Sequence, residues 1–121
     1  KEDIVVPLGK LQELFDFTSG LEKKHGFPVA CFGHAGDGNI HVNIMVDMGQ
    51  PGAKRKCDKA LDALFRKVLE LGGVITGEHG IGLAKKPWWP LAASKSARKL
   101  HRNIKGALDP EGILNPGKFL G

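Results

Sequence analysis

The sequence predicts an α+β fold of the ferredoxin-like βαββαβ kind, an antiparallel sheet with both helices on one face, followed by a C-terminal helix and tail. Three observations carry the prediction. Short β-branched or alternating runs at residues 3–6, 29–33, 39–46 and 74–76 read as strands. Two longer stretches, from residue 8 to about 24 and from about 53 to 71, repeat apolar residues at helical spacing. The connections are short, so elements adjacent in sequence can be adjacent in space.

The first strand stops at Pro7. Leu11, Leu14, Phe15 and Leu21 then form a helical stripe, and Gly26, directly after Lys24 and His25, reads as the C-terminal stop with Pro28 beyond it. The second and third strands form a hairpin. An apolar run ends at Gly33-His34, a tight Gly36-Asp37-Gly38 turn follows, and the next strand has the cleanest alternation in the chain. Strand side chains alternate with period two, so Ile40, Val42, Ile44 and Val46 share one face and Asn39, His41, Asn43 and Met45 the other. In the predicted fold the helices cover the first set and leave His41 and Asn43 on the bare face.

Gly49-Gln50-Pro51-Gly52 is a turn cluster. In the helix after it, Ala60, Leu61, Leu64, Phe65, Val68 and Leu69 form the dry side, and Lys59, Asp62, Arg66, Lys67 and Glu70 the wet side. Gly72-Gly73 ends that helix and Val74-Ile75-Thr76 is the fourth strand. A short helical piece runs to Lys86, and Pro87-Trp88-Trp89-Pro90 is a stiff aromatic segment. The last helix, about residues 94–108, is expected to bury Ala97, Leu100, Ile104 and Ala107, with Lys95, Arg98, Arg102 and Lys105 along its other side. Residues 109–118 are turn chemistry throughout.

The 121 residues, 41% hydrophobic and 26% charged, suit one globular domain with a single core. The chain opens on Lys1 rather than Met and is expected to be a piece of a longer polypeptide. Its net charge of +5 suits an anionic substrate or partner and is too small to argue for nucleic acid. No signal-peptide pattern is present, and no apolar run approaches the roughly 18 residues of a membrane span. Cys31 and Cys57 sit in no metal or redox spacing and read as small buried apolar residues, in keeping with a reducing, cytoplasmic setting.

His34, His41, Glu78 and His79 form the chemically interesting set. A lone histidine in a strand is usually a hydrogen-bonded structural residue. Here two histidines flank a glycine-rich turn and a Glu-His pair follows the last strand of the same sheet, a convergence that points to a site. His34, His41 and Glu78 make a ligand set for Zn²⁺, Mn²⁺ or Fe²⁺ with open positions for substrate. His79, pointing differently from its neighbour, is then free to act as a general base. Gly77, Gly80 and Gly82 are weak evidence for a phosphate loop, and close backbone approach to a ligand is their better use.

These residues resemble a known family. G-H-A-G-D-G-N-I-H at residues 33–41, G-E-H-G-I-G at 77–82 and D-P-E-G-I-L-N-P-G-K at 109–118 look like signatures of the FAD-linked oxidase C-terminal domain, whose members include the FAD-linked subunit of glycolate oxidase, D-lactate dehydrogenases and D-2-hydroxyglutarate dehydrogenases. The resemblance covers essentially all of the chain. It implies a divalent metal, zinc, on His34, His41 and Glu78; His79 as the base on the substrate hydroxyl; Asn43 and Lys1 as substrate contacts; and Asn115 and Lys118 in a tail that returns toward the flavin.

The implied activity is that of an FAD-dependent 2-hydroxyacid oxidoreductase of glycolate or D-lactate type, with metal-assisted proton abstraction and hydride transfer to flavin. Residues 1–121 would be its single C-terminal substrate/cap domain. FAD would be held mainly by a separate N-terminal domain that nothing here resembles, so this polypeptide alone is expected to be inactive. Implied partners are a small 2-hydroxy acid, the FAD-binding domain of the same full-length chain and an Fe–S electron-transfer subunit. The implied location is cytoplasmic, peripheral at the inner membrane through partner subunits. A different class of function, a ferredoxin-like metal-binding or regulatory interaction module without catalysis, fits the same histidines.

Overall fold

The computed structural model describes residues 1–120, and the chain divides into two compact units, residues 1–79 and residues 80 onward. The first unit is built on three antiparallel strands, β1 (Glu2–Val5), β2 (Val29–His34) and β3 (Asn39–Ile44), in the order β1-β3-β2. Helices α1 (Leu11–His25) and α2 (Ala53–Glu70) pack against each other, and α1 packs on β2. The Cys31 thiol donates to the Thr18 hydroxyl on α1 (3.5 Å), and Cys31 is the register partner of Val42. The helices therefore lie on the Ile40–Val42 face, as the alternation predicts.

Ile4, Leu14, Ile40, Val42, Leu64, Phe65 and Val68 are each no more than 2% exposed and form the core between sheet and helices. Burying side chains of this size contributes about 1.5–3 kcal/mol each. Gly26, in the left-handed conformation (φ 71°), ends α1 by donating its N–H to the Glu22 carbonyl (2.9 Å). In the hairpin, Gly38 has φ 70° and packs so close that a Cβ there would lie 2.1 Å from the Val6 carbonyl oxygen. The Val6 N–H in turn donates to the Gly38 carbonyl (3.1 Å), stitching the end of β1 to the turn.

The α+β class holds, but the four-stranded sheet does not. The expected fourth strand at residues 74–76 is a single antiparallel bridge in which Val5 and Val74 exchange N–H···O bonds of 3.0 and 2.9 Å. The reason lies one step further on. The N–H groups of Gly77, Glu78 and His79 all donate to the Asp3 carboxylate, so the chain curls around that side chain instead of running along β1. β3 ends at Ile44 rather than Val46, with one further bond from the Met45 N–H to the Pro28 carbonyl (2.9 Å). Both cysteines are half-buried free thiols rather than fully buried ones, and burial pushes the thiol pKa of each up.

In the second unit a turn of 3-10 helix (Lys86–Trp88) runs into a short helix α3 (Trp89–Ala92), followed by α4 (Lys95–Leu108). Ser94 caps α4 by accepting the Ala97 N–H (3.1 Å). Trp89, His101 and Phe119 meet edge to face with ring centroids 4.8–5.4 Å apart. The tail is pinned at Asp109, whose carboxylate pairs with Lys105 and accepts the N–H groups of Ile113 and Leu114 (both 3.0 Å). The expected burial on α4 is overturned: Leu100 and Ile104 are 58% and 51% exposed, Ala107 is exposed and Ala97 only half-buried. Periodicity states that a helix has an apolar side, whereas burial needs a partner surface to cover it.

Candidate functional site

The site grows from strand register. Asp3 on β1 and Phe32 on β2 are both Cα partners of His41 on the central strand β3. Cross-strand partners share a face, so these three side chains stand abreast on the side away from the helices. His34 is the partner of Asn39, and Asn43 of Ala30, on that same side. The Phe32 and His41 rings are 5.3 Å apart at 41°, and the Lys1 ammonium sits 5.0 Å from the Phe32 ring centre.

The segment after Val74 closes over this row. One oxygen of Asp3 accepts N–H bonds from Gly77 (2.7 Å), Glu78 (2.5 Å) and His79 (3.0 Å), and the Thr76 hydroxyl donates to it at 3.3 Å. Asp3 is completely buried. Gly77 packs on the Asn39 side chain so tightly that a Cβ would come within 2.7–2.9 Å of three of its atoms, so a larger residue would have to displace that amide.

This curl brings Glu78 and His79 to His41. Glu78 Oε1 lies 3.1 Å from His41 Nε2 and 3.8 Å from His79 Nε2. The two imidazoles stack at 5.4 Å and 22°, and His79 Nδ1 faces the second Asp3 oxygen at 3.5 Å. The His41 side chain is 8% exposed, while Glu78 and His79 are half exposed and open to a ligand.

One donor atom from each of His41, Glu78 and His79 lies within 4.8 Å of the others, a grouping able to hold a metal ion. The 3.1 Å between the His41 nitrogen and the Glu78 oxygen is a hydrogen-bond separation, and a slight widening to about 3.3–3.6 Å would seat both on one tetrahedral ion with bonds of about 2.0–2.2 Å. His41 Nδ1 is buried without a hydrogen-bond partner, so this imidazole engages through its other nitrogen. His41 and Glu78 thus offer two donors that fit a divalent metal, leaving further positions to other ligands.

Of the residues singled out by sequence, His41, Glu78 and His79 come together. His34 stands exposed at the end of β2 and is not a member of that trio. Asn43 is half-buried with its carbonyl oxygen unpartnered, and Lys1 is on the site's side through Phe32. Asn115 and Lys118 belong to the second unit, where they line a depression of about 450 Å³ with Lys105, Leu114 and Phe119. The residue that sequence reading passed over is Asp3. Its signal was an acid inside a β-branched run, where carboxylates are disfavoured.

A family model described as FAD linked oxidases, C-terminal domain, matches residues 1–119. Among curated relatives, the chain is 36% identical over 118 residues to glycolate oxidase subunit GlcD of Bacillus subtilis (strain 168), covering 98% of this chain and 25% of the relative. It is 38% identical over 118 residues to a D-lactate dehydrogenase of Anaerostipes hadrus, covering 97% and 25%. To a D-2-hydroxyglutarate dehydrogenase of Stutzerimonas stutzeri (strain A1501) it is 33% identical over 123 residues, covering 98% and 26%. The chain thus spans about a quarter of the length of these relatives. Matched over nearly its whole length, the chain belongs to the family of FAD linked oxidases, C-terminal domain.

Proposed function

We propose that residues 1–121 are the single substrate/cap domain of an FAD-dependent 2-hydroxyacid oxidoreductase of glycolate or D-lactate type. The observation that carries this reading is the meeting of a buried imidazole, a carboxylate and a second, half-exposed imidazole on the helix-free face of the sheet. The names of the relatives support the substrate class.

His41 and Glu78, already paired at 3.1 Å, are two ligands of a divalent metal, zinc. His34, exposed at the end of the same hairpin, is the third in this reading, and His79 stays free of the ion. A zinc ion held there would supply Lewis-acid polarisation of a hydroxyl group, an effect worth several kcal/mol. His79 is half exposed, and with Nδ1 toward Asp3 it offers Nε2 to the substrate hydroxyl, whose proton it takes. Lys1 supplies positive charge for the substrate carboxylate, and the Asn43 amide, with its buried oxygen unpaired, orients the substrate. Asn115 and Lys118 serve the flavin side.

FAD, the hydride acceptor in this reading, is bound mainly by the remaining part of the full-length chain, so the 121 residues alone do not turn over. An Fe–S subunit is the proposed electron-transfer partner. The described residues contain no helix long and apolar enough to cross a membrane. A cytoplasmic location, with membrane contact only through partner subunits, is part of the same proposal.

The test is turnover of full-length protein across D-2-hydroxy acids with an artificial electron acceptor. His79→Ala is expected to lower kcat by about 10²–10⁴-fold, the usual worth of general-base catalysis, with flavin still bound. Unchanged turnover in that variant removes His79 from its role. Metal binding without oxidation of any hydroxy acid would favour the non-catalytic module.

A further inference from the structure

We infer that Asp3 is the positioning residue of this site, the group that places Glu78 and His79 against His41. The inference rests on the functional reading above for what the site does, and on the hydrogen bonds of Asp3 for how it is built.

Asp3 is fully buried in the middle of a strand, a costly place for a carboxylate unless its oxygens are satisfied. They are satisfied by one short segment. Three successive N–H groups, from Gly77, Glu78 and His79, converge on Oδ2 at 2.5–3.0 Å, with the Thr76 hydroxyl beside them. Such a nest of backbone donors around an anion curls the chain tightly. Here the curl is what turns the side chains of residues 78 and 79 toward β3. Bonds to an ionised acceptor are stronger than neutral ones, so the curl is stiff.

Strand register sets the other half of the arrangement. Asp3 is the Cα partner of His41, so the carboxylate that holds the loop is mounted directly beside the imidazole that the loop must meet. Its second oxygen, 3.5 Å from His79 Nδ1, also sets the direction of that ring and leaves Nε2 on the side of Glu78, 3.8 Å from Oε1. Asn39, the second residue before His41, packs its amide against the Gly77 backbone, where a Cβ would have to push that amide aside, and so holds the loop from the β3 side. One side chain thus ties the position of two functional groups to a third.

The bland alternative is a buried carboxylate that stabilises the fold and nothing more. Asp3→Asn separates the two in full-length protein, because the amide keeps the size but loses the charge and one acceptor oxygen, so either the backbone donors or His79 Nδ1 must face an NH2 group. Partners that orient the ligands of a metal site typically contribute 10–100-fold to metal affinity or activity. Asp3→Asn is therefore expected to weaken zinc binding, read by calorimetric titration, and to lower kcat, each by about 10–100-fold. Amide exchange at Gly77, Glu78 and His79 should rise while exchange within β3 stays slow.

A variant with a lowered Tm but wild-type zinc affinity, kcat and exchange at residues 77–79 overturns the inference. Should Asp3→Asn fail to fold, Thr76→Val removes one donor from the same carboxylate and should shift all three readouts the same way by a few-fold. Unchanged values there overturn it equally. If the wild-type protein neither binds zinc nor oxidises a hydroxy acid, the functional reading fails. The exchange rates at residues 77–79 then decide the role of Asp3 on their own.

Discussion

Asp3 and Asp109 are both buried carboxylates that gather backbone N–H groups, but Asp3 reaches partners 74 to 76 residues away and Asp109 partners only four and five residues away. The Asp109 turn closes next to the end of α4 and has a local cation, Lys105, one turn back. It can form wherever that helix forms. The Asp3 nest requires the sheet, the hairpin and α2 to be in place first, since closing so long a loop costs entropy that only the surrounding core offsets. The lesson is about coupling. The residues proposed for chemistry are held by the contact most dependent on the whole first unit, and the tail by one that depends on its own neighbourhood.

The two units also differ in what lies behind those contacts. Leu64 is fully buried, whereas α4 has no buried residue and Leu100 is 58% exposed. Leu64→Ala is the strongest way to break the contrast. It should destabilise the chain by about 2–5 kcal/mol in denaturant titration, the range for large-to-small changes in a core.

Next in size is the loss of the Asp109 carboxylate. The Lys105 ammonium, then the Leu114 and Ile113 N–H groups, hold its pKa below the usual carboxylate value against the opposing effect of burial. A folded pKa below the unfolded one means a contribution fully present above the ordinary carboxylate pKa, and lost as pH falls through the lowered value. The amides of Ile113 and Leu114 should therefore lose exchange protection in acid. In Asp109→Asn they should be weakly protected at every pH. Protection that persists in acid would mean that the turn does not depend on the charge.

Ser94→Ala should cost about 1 kcal/mol by removing the α4 N-cap, seen as reduced helix content on heating. Smallest of all, Leu100→Ala should stay within about 0.5 kcal/mol of wild type in the 121-residue chain, as for exposed positions generally. A loss well above that would show the α4 face to be covered and would narrow the contrast between the units.

Much of the site was legible in the order of residues. Period-two alternation placed His41 and Asn43 opposite Ile40 and Val42, and that is a property of any extended strand, whatever surrounds it. The Gly72-Gly73 break announced that the chain turns before the Glu-His pair, and α1 and α2 followed from spacing and glycine stops. Val74-Ile75-Thr76 carries strand propensity yet forms a single bridge, because propensity is silent about a carboxylate elsewhere that competes for the next three N–H groups. The apolar face of α4 stays exposed, because spacing reports an apolar side and not its cover. Between His34 and His79, the spacing of the hairpin alone could not decide which imidazole stands nearer to Glu78.

What the sequence by itself determined is the set of short-range facts: which strands alternate, where glycine permits a turn, which family signatures are present, and which side of β3 carries an imidazole. Only the tertiary structure decided that Asp3 stands beside His41 and that residues 77–79 wrap around it. The physical reason is that periodicity is a property of one segment, whereas strand register and a hydrogen bond spanning more than seventy residues arise only when separate segments meet.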